Sequence, residues 1–204
     1  MSSGFGDCPK VDLYLASASP RRRDILQQIG VRFAVVAAGV EERRSEGESP
    51  LDYIQRLASD KARAGWQQLN HKGWPLAPVL GADTVGLLDE QVLEKPRDQV
   101  HGAELLRRMS GREHRVISAV AITDGQRETV SYSETRVQFR PLTETEITRY
   151  WETGEPCDKA GGYGIQGLGG VFVQALYGSY SNVVGLPVEA TVPLLAAYNV
   201  PWWQ

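Results

Sequence analysis

Arg21 and Arg22 stand side by side behind Ser19 and Pro20 in the stretch L-A-S-A-S-P-R-R, Leu15 to Arg22. Serine is an N-cap residue type and proline suits the first position of a helix. The arginines therefore fall in a first helical turn, where free N–H groups already carry partial positive charge. Cations crowded there call for an anion, and phosphate is the usual one. A lone arginine would be read as solvated surface. A pair behind a small-residue turn reads as an anion site.

Other residues carry compatible chemistry. Asp83 interrupts the apolar run V-L-G-A-D-T-V-G. A carboxylate without partners is costly to bury, so it should end a strand or face a cation or metal. Small neighbours, Gly81 and Ala82, leave room for a ligand. Glu41 and Glu42 close another apolar stretch; alone they read as solvated, but with Asp83 they could hold Mg²⁺, which takes oxygen ligands and often phosphate. Lys61 lies on a helix otherwise apolar on that side, and by residue type alone reads as a solvated lysine with its stem across apolar surface. Lys95, in L-E-K-P, is held between a strand and a proline and is a candidate for neutralising phosphate.

The second strong signal is glycine-rich. Seven glycines fall between Gly154 and Gly170, interleaved with Asp158, Lys159, Tyr163, Ile165 and Gln166. Glycine lets a backbone approach a ligand closely and adopt positive φ. The Gln166 amide offers a donor and an acceptor, which suits a nucleobase edge. Cys157 has no histidine near it in sequence and is not read as a nucleophile. Neither a P-loop nor a Rossmann glycine fingerprint is present.

These residues must be positioned by a chain of 204 residues, long enough for one sizeable core or two small lobes. A formal net charge of -3 argues against general affinity for polymeric nucleic acid, so phosphate recognition must be local. Two cysteines, Cys8 and Cys157, make no disulfide framework and fit a reducing compartment. The first residues lack the charged and apolar regions of a signal peptide, and no apolar run is long enough to span a bilayer. A cytoplasmic protein without membrane partners is expected, with residues 1–10 a disordered tail and 11–204 a single domain.

Strands are expected at Val11–Ala16, Arg32–Ala38, Val79–Leu88, Val92–Glu94, Arg115–Thr123, Thr129–Arg140 and Val171–Tyr177. The Asp124-Gly125 pair is a hairpin signal. Helices are expected at Pro20–Ile29, from Ser49-Pro50 to about Leu69, from Asp98 to Gly111, and over Glu144–Thr153 behind a Thr143/Glu146 capping box. A last helix starts near Pro187, with Pro193 set to kink it or delay its start. Alternating strands and helices followed by a hairpin give an α/β fold with a mixed sheet. Division into two lobes is not visible in the pattern.

Taken together, L-A-S-A-S-P-R-R, G-A-D-T (Gly81 to Thr84), L-E-K-P (Leu93 to Pro96), D-K-A-G-G-Y-G-I-Q-G (Asp158 to Gly167) and N-V-V-G-L-P (Asn182 to Pro187) resemble the Maf-like nucleoside triphosphate pyrophosphatases, in that family's order and across almost the whole chain. The resemblance implies an elongated, two-lobed, inosine-triphosphatase-like fold with a central cleft, often homodimeric. It implies a divalent metal, Mg²⁺ or Mn²⁺, and hydrolysis of a pyrimidine nucleoside triphosphate to monophosphate and pyrophosphate. Arg21, Thr84 and Gln166 match positions linked to substrate choice, in the combination of the dTTP- and UTP-directed branch; the 7-methyl-GTP branches often carry Trp at the first arginine. Asp83 matches the proton acceptor, and Ser19, Arg22, Glu42, Lys61 and Lys95 match other functional positions. Gly162 departs from the alanine of many members, and Arg23 adds a third arginine, expected at the surface.

The expected mechanism is attack of water on the α-phosphorus. Arg21, Arg22, Lys61 and Lys95 balance phosphate charge, Ser19 contacts phosphate, Asp83 and Glu42 hold the metal, Asp83 takes the proton, and Gln166 and Thr84, with the glycine-rich backbone, read the base. Sequence leaves open whether Asp83 is base or metal ligand. Two rivals stand beside this: a nucleotide-binding regulator of septum formation without turnover, and a house-cleaning pyrophosphatase for modified nucleotides. Carboxylates beside a phosphate site favour catalysis, since a pure anion binder gains nothing from them.

Overall fold

The computed structural model describes residues 11–204, the Asp158 side chain excepted. The tail expected over residues 1–10 and Cys8 lie outside the described residues. Seven strands form one mixed sheet: β1 Leu13–Ala16, β2 Phe33–Val35, β3 Val79–Leu88, β4 Gln91–Leu93, β5 Glu113–Thr123, β6 Glu128–Phe139 and β7 Val173–Tyr177. Six α-helices accompany them: α1 Pro20–Gln28, α2 Pro50–Lys72, α3 Gln99–Met109, α4 Glu144–Glu152, α5 Tyr180–Val184 and α6 Val188–Ala197. The sheet order is β2-β1-β3-β5-β6-β7. β1 runs parallel to β2 and β3, and every other pairing is antiparallel.

One edge of β3 is shared by two short strands. β1 pairs with it up to Ala16 opposite Gly81, and β4 pairs with it from Leu93 opposite Gly86. Residues 82–85 of β3 have no strand partner on that edge. The gap separates two apolar cores on one face of the sheet. On one face of the sheet, Leu80 and Ala82 join Leu15, Leu26 and Leu195 in a core on one side of the gap. Leu88, Leu93, Leu106, Phe139 and Ile147 form a second core on the other. Ile165 packs against both.

The opposite face is covered by α2, whose Ile54, Ala58 and Ala62 meet Val85, Leu87 and Ala119. Gly81 makes this approach possible. A Cβ there would stand 2.2 Å from the Ala58 carbonyl oxygen and 2.6 Å from the Ala62 nitrogen. Any side chain at 81 would push the helix off the sheet.

The structure departs from the sequence reading at several elements, of which α5 was not expected at all and three others differ in detail. β2 ends at Val35 because its partner β1 ends beside it, Leu15 opposite Val35. Residues 168–172 form a 3₁₀ turn, so β7 starts at Val173. Pro193 does not delay α6, which begins at Val188 directly after Pro187.

Candidate active site

Strand alternation sends consecutive residues to opposite faces, and Asp83 and Thr84 lie side by side in the gap of β3. Thr84 faces α1. There Arg22 is almost completely buried and each guanidinium nitrogen donates one hydrogen bond: Nε to the Gly185 carbonyl at 2.8 Å, Nη1 to Ser17 Oγ at 3.1 Å and Nη2 to Thr84 Oγ1 at 3.1 Å. Burial pushes the Arg22 pKa down and the neighbouring Arg21 charge adds to this, while Asp83 and Glu42 pull the other way. Arginine stays protonated regardless, so a positive charge is held here in near-complete burial.

A directed chain of hydrogen bonds backs that arginine. Ser118 Oγ donates to the Asn182 carbonyl at 2.8 Å and lies 2.8 Å from Thr84 Oγ1. Its proton being spent, it accepts from Thr84, whose lone pairs then face Arg22. Asn182 is fully buried: Oδ1 accepts from Ser118 N at 3.0 Å, and Nδ2 donates to the Val116 carbonyl and Thr135 Oγ1, each at 2.9 Å. The segment Asn182 to Gly185 therefore acts as a bracket for Arg22. Ser19 caps α1, its Oγ accepting from Arg22 N at 3.4 Å. The serine on the guanidinium is Ser17, which the sequence reading passed over; its one signal is its place directly after the last residue of β1.

Asp83 faces α2. Lys61 Nζ lies 2.8 Å from Asp83 Oδ1 and 2.7 Å from Glu42 Oε1, bridging the two carboxylates. Arg22 Nη2 reaches to 4.0 Å of the same Oδ1. Lys61 is buried, which corrects its reading as a solvated lysine. The signal was present, since residues 54, 58, 61, 62 and 65 form the buried stripe of α2. Burial pushes the Glu42 carboxyl up, but the bond and charge of Lys61, with Lys95 and Arg22 further off, hold it below its ordinary value. Glu41 is exposed.

Maf-like protein is the family description that matches residues 12–198. The chain belongs to this family. A Saccharophagus degradans protein named dTTP/UTP pyrophosphatase is 52% identical over 95% of this chain and 91% of its own length. One of the same name from Escherichia coli (strain K12) is 50% identical over 92% of this chain and 93% of its own. The structure of the Staphylococcus aureus Ham1 protein overlaps 62% of this chain and 71% of its own at 12% identity, with a TM-score of 0.42.

The remaining Maf-family motif residues do not join the Asp83 cluster. Lys95 is exposed just beyond β4, on the chain leading from Leu93 toward the gap, and its charge acts on Glu42. Arg21 is half-buried in the first turn of α1, and Arg23 is exposed as expected. Gln166 is exposed on the glycine-rich loop beside Ile165, and the structure does not bring its amide to Asp83. Gly161 N donates to the Glu94 carbonyl at 3.0 Å, tying the loop's start to the lysine segment. Gly162 has φ +69°, a conformation that would strain an alanine here.

No group of three His, Cys, Asp or Glu among the described residues could hold a metal alone. Asp83 and Glu42 each keep one oxygen off Lys61. Two hard carboxylate donors beside Arg22 and Lys61 are of the oxygen type that Mg²⁺ or Mn²⁺ takes, too few to hold the ion without further ligands.

Proposed function

We propose that this protein hydrolyses dTTP and UTP to the monophosphate and pyrophosphate. The observation that carries this reading is half-identity over nine-tenths of the chain to proteins named for that activity. The convergence of Arg22, Lys61 and Asp83 in one sheet gap supports it.

The triphosphate lies along the gap, its charge balanced by Arg21, Arg22 and Lys95 at the mouth and by Lys61 beneath. Water attacks the α-phosphorus. The new O–P bond forms as the bond to the bridging oxygen breaks, and pyrophosphate leaves toward the cations. Asp83 Oδ2, the oxygen not committed to Lys61, accepts the water proton. Asp83 and Glu42, with phosphate oxygens, would hold Mg²⁺ or Mn²⁺, which when bound neutralises charge and acidifies coordinated water. Gln166 reads the base edge, Ser19 offers its hydroxyl proton to phosphate, and Thr84 acts on substrate through Arg22. By family resemblance we also place the protein in the cytoplasm, as a homodimer. No helix among the described residues is long and apolar enough to cross a membrane.

Pyrophosphate release measured across all ribo- and deoxynucleoside triphosphates with Mg²⁺ or Mn²⁺ tests the assignment. Turnover should be fastest with dTTP and UTP, and a folded Asp83→Asn variant should lose at least about 10²-fold in kcat. Binding without turnover would instead favour the regulatory reading, and preference for a modified base the house-cleaning one. Near-normal turnover in folded Asp83→Asn would remove Asp83 as base.

A further inference from the structure

The glycine-rich loop is wrapped around a carboxylate of its own. Glu155 follows α4, and its side chain reaches into the arch formed by residues 164–169. Oε1 accepts from Tyr150 Oη at 2.7 Å and from Gly169 N at 2.9 Å, and Oε2 accepts from Leu168 N at 2.8 Å. Tyr150 Oη in turn accepts from Gly164 N at 3.1 Å. Lys159 Nζ donates to the Glu155 carbonyl at 2.8 Å, fixing the residue's backbone. One carboxylate thus grips both ends of the arch, directly at 168 and 169 and through a phenol at 164.

This changes the reason for the glycines. A Cβ at Gly167 would stand 2.2 Å from Glu155 Oε2, and one at Gly164 3.1 Å from Oε1. At Gly169 it would stand 2.6 Å from Tyr150 Oη. These glycines let the backbone close on Glu155, where the sequence suggested close approach to a ligand. Burial pushes the Glu155 carboxyl up, but the Tyr150 and backbone hydrogen bonds, with Lys159, more than offset this and keep it ionised at neutral pH. Gln166 sits at the crown of the arch, between the two gripped ends, with Ile165 beside it seated on both cores.

We propose that Glu155 is a specificity-positioning residue, holding the 164–169 arch so that Gln166 is presented to the nucleobase in one orientation. The proposal rests on the pyrophosphatase reading and adds a residue that touches neither phosphate nor base. A glutamine at 155 keeps the shape but turns an NH₂ toward an N–H or O–H donor whichever way it lies, so the arch loses a grip.

The test uses the full chain with Glu155→Gln and Tyr150→Phe, assayed with dTTP, UTP, dCTP and dGTP beside hydrogen exchange of residues 160–170. In Glu155→Gln, kcat for dTTP should stay within about threefold, while KM rises about tenfold and dTTP/dCTP discrimination in kcat/KM falls about tenfold. Amides of the arch should exchange faster. Tyr150→Phe, which frees Gly164 N and removes one of the three hydrogen bonds to the Glu155 carboxylate, should shift the same quantities in the same direction but less. Unchanged KM and discrimination, or a uniform loss of kcat across all substrates, overturns the proposal. If Glu155→Gln fails to fold, unchanged discrimination in folded Tyr150→Phe overturns it equally. Wild-type protein inactive on every pyrimidine triphosphate removes the pyrophosphatase reading and this inference with it. Active wild type with unaltered variants removes this inference alone.

Discussion

Thr84 and Asp83 are neighbours in sequence that serve opposite faces of the sheet, and each answers to a different cation. Thr84 Oγ1 is committed to Arg22 Nη2 and Ser118 Oγ, so its hydroxyl is occupied before substrate arrives. Thr84→Val should loosen Arg22 and lower kcat by about tenfold or more, with little change in the dTTP-to-UTP ratio. Steady-state kinetics on both substrates decide this; an altered ratio at unchanged kcat would mean that Thr84 reads the base directly. Lys61 gives the second residue-scale expectation. Its ammonium is buried against Asp83, so Lys61→Met alone leaves that carboxylate without its close partner. Breaking a buried pair from one side costs roughly 3–5 kcal/mol, and this one, with Asp83 partly reachable by water, belongs at the lower end. The double variant Lys61→Met/Asp83→Asn should recover much of the loss in urea denaturation. If the double is no more stable than the single, the pair is not the source of the cost.

At the scale of elements, helix starts were legible because caps are local chemistry. Ser19, Ser49, Asp98 and Thr143 each accept from the backbone nitrogen three residues on, as their types and positions suggested. The hairpin was legible for the same reason, with Asp124 Oδ1 accepting from Gln126 N and Arg127 N. The length of β2 was not, since it depends on where β1 stops. α5 was missed because five residues, Tyr180–Val184, carry no readable period. The site divides the same way. Arg22 and Asp83 stood out as charges in unfitting places, whereas Ser17 and Glu155 gain meaning only once distant backbone folds against them. Gly81 joins both levels. It admits α2 to the sheet and so lets Lys61 reach Asp83. Gly81→Ala should therefore cost at least about 1–3 kcal/mol by overpacking and weaken turnover in the folded fraction through a displaced Lys61. Thermal denaturation with single-turnover kinetics checks both; wild-type stability would mean that α2 accommodates the methyl.

At the scale of the whole molecule, the second core contains a titratable group that ties stability to pH. His114 on β5 is buried, with Nε2 2.8 Å from Tyr163 Oη and Nδ1 without a partner. Its ring lies edge-on to Phe139, centroids 4.8 Å apart. Burial lowers its pKa from 6.5 to about 4. Between those values the unfolded chain holds a proton there that the folded chain does not, so acid favours unfolding. The neutral imidazole's contribution is intact above pH 6.5 and is lost as pH falls toward 4, at up to about 1.4 kcal/mol per pH unit for one proton. Glu48 and Glu146, held down to about 2 by Arg56 and Arg140, keep their full contribution above their ordinary value of 4.5 and lose it as pH falls from there toward 2. His114→Phe/Tyr163→Phe removes the titration and both hydrogen-bonding partners while keeping the aromatic packing, which keeps its cost small near neutrality. Urea midpoints at pH 7.5 and pH 5 should differ clearly in wild type and much less in the double variant. Equal differences would place the acid sensitivity elsewhere. Tyr163 lies between Gly162 and Gly164, so the same protonation should loosen the glycine-rich loop before the sheet gives way. In wild type below pH 5, hydrogen exchange should rise first at residues 160–170, linking the stability of the second core to the order of the loop that carries Gln166.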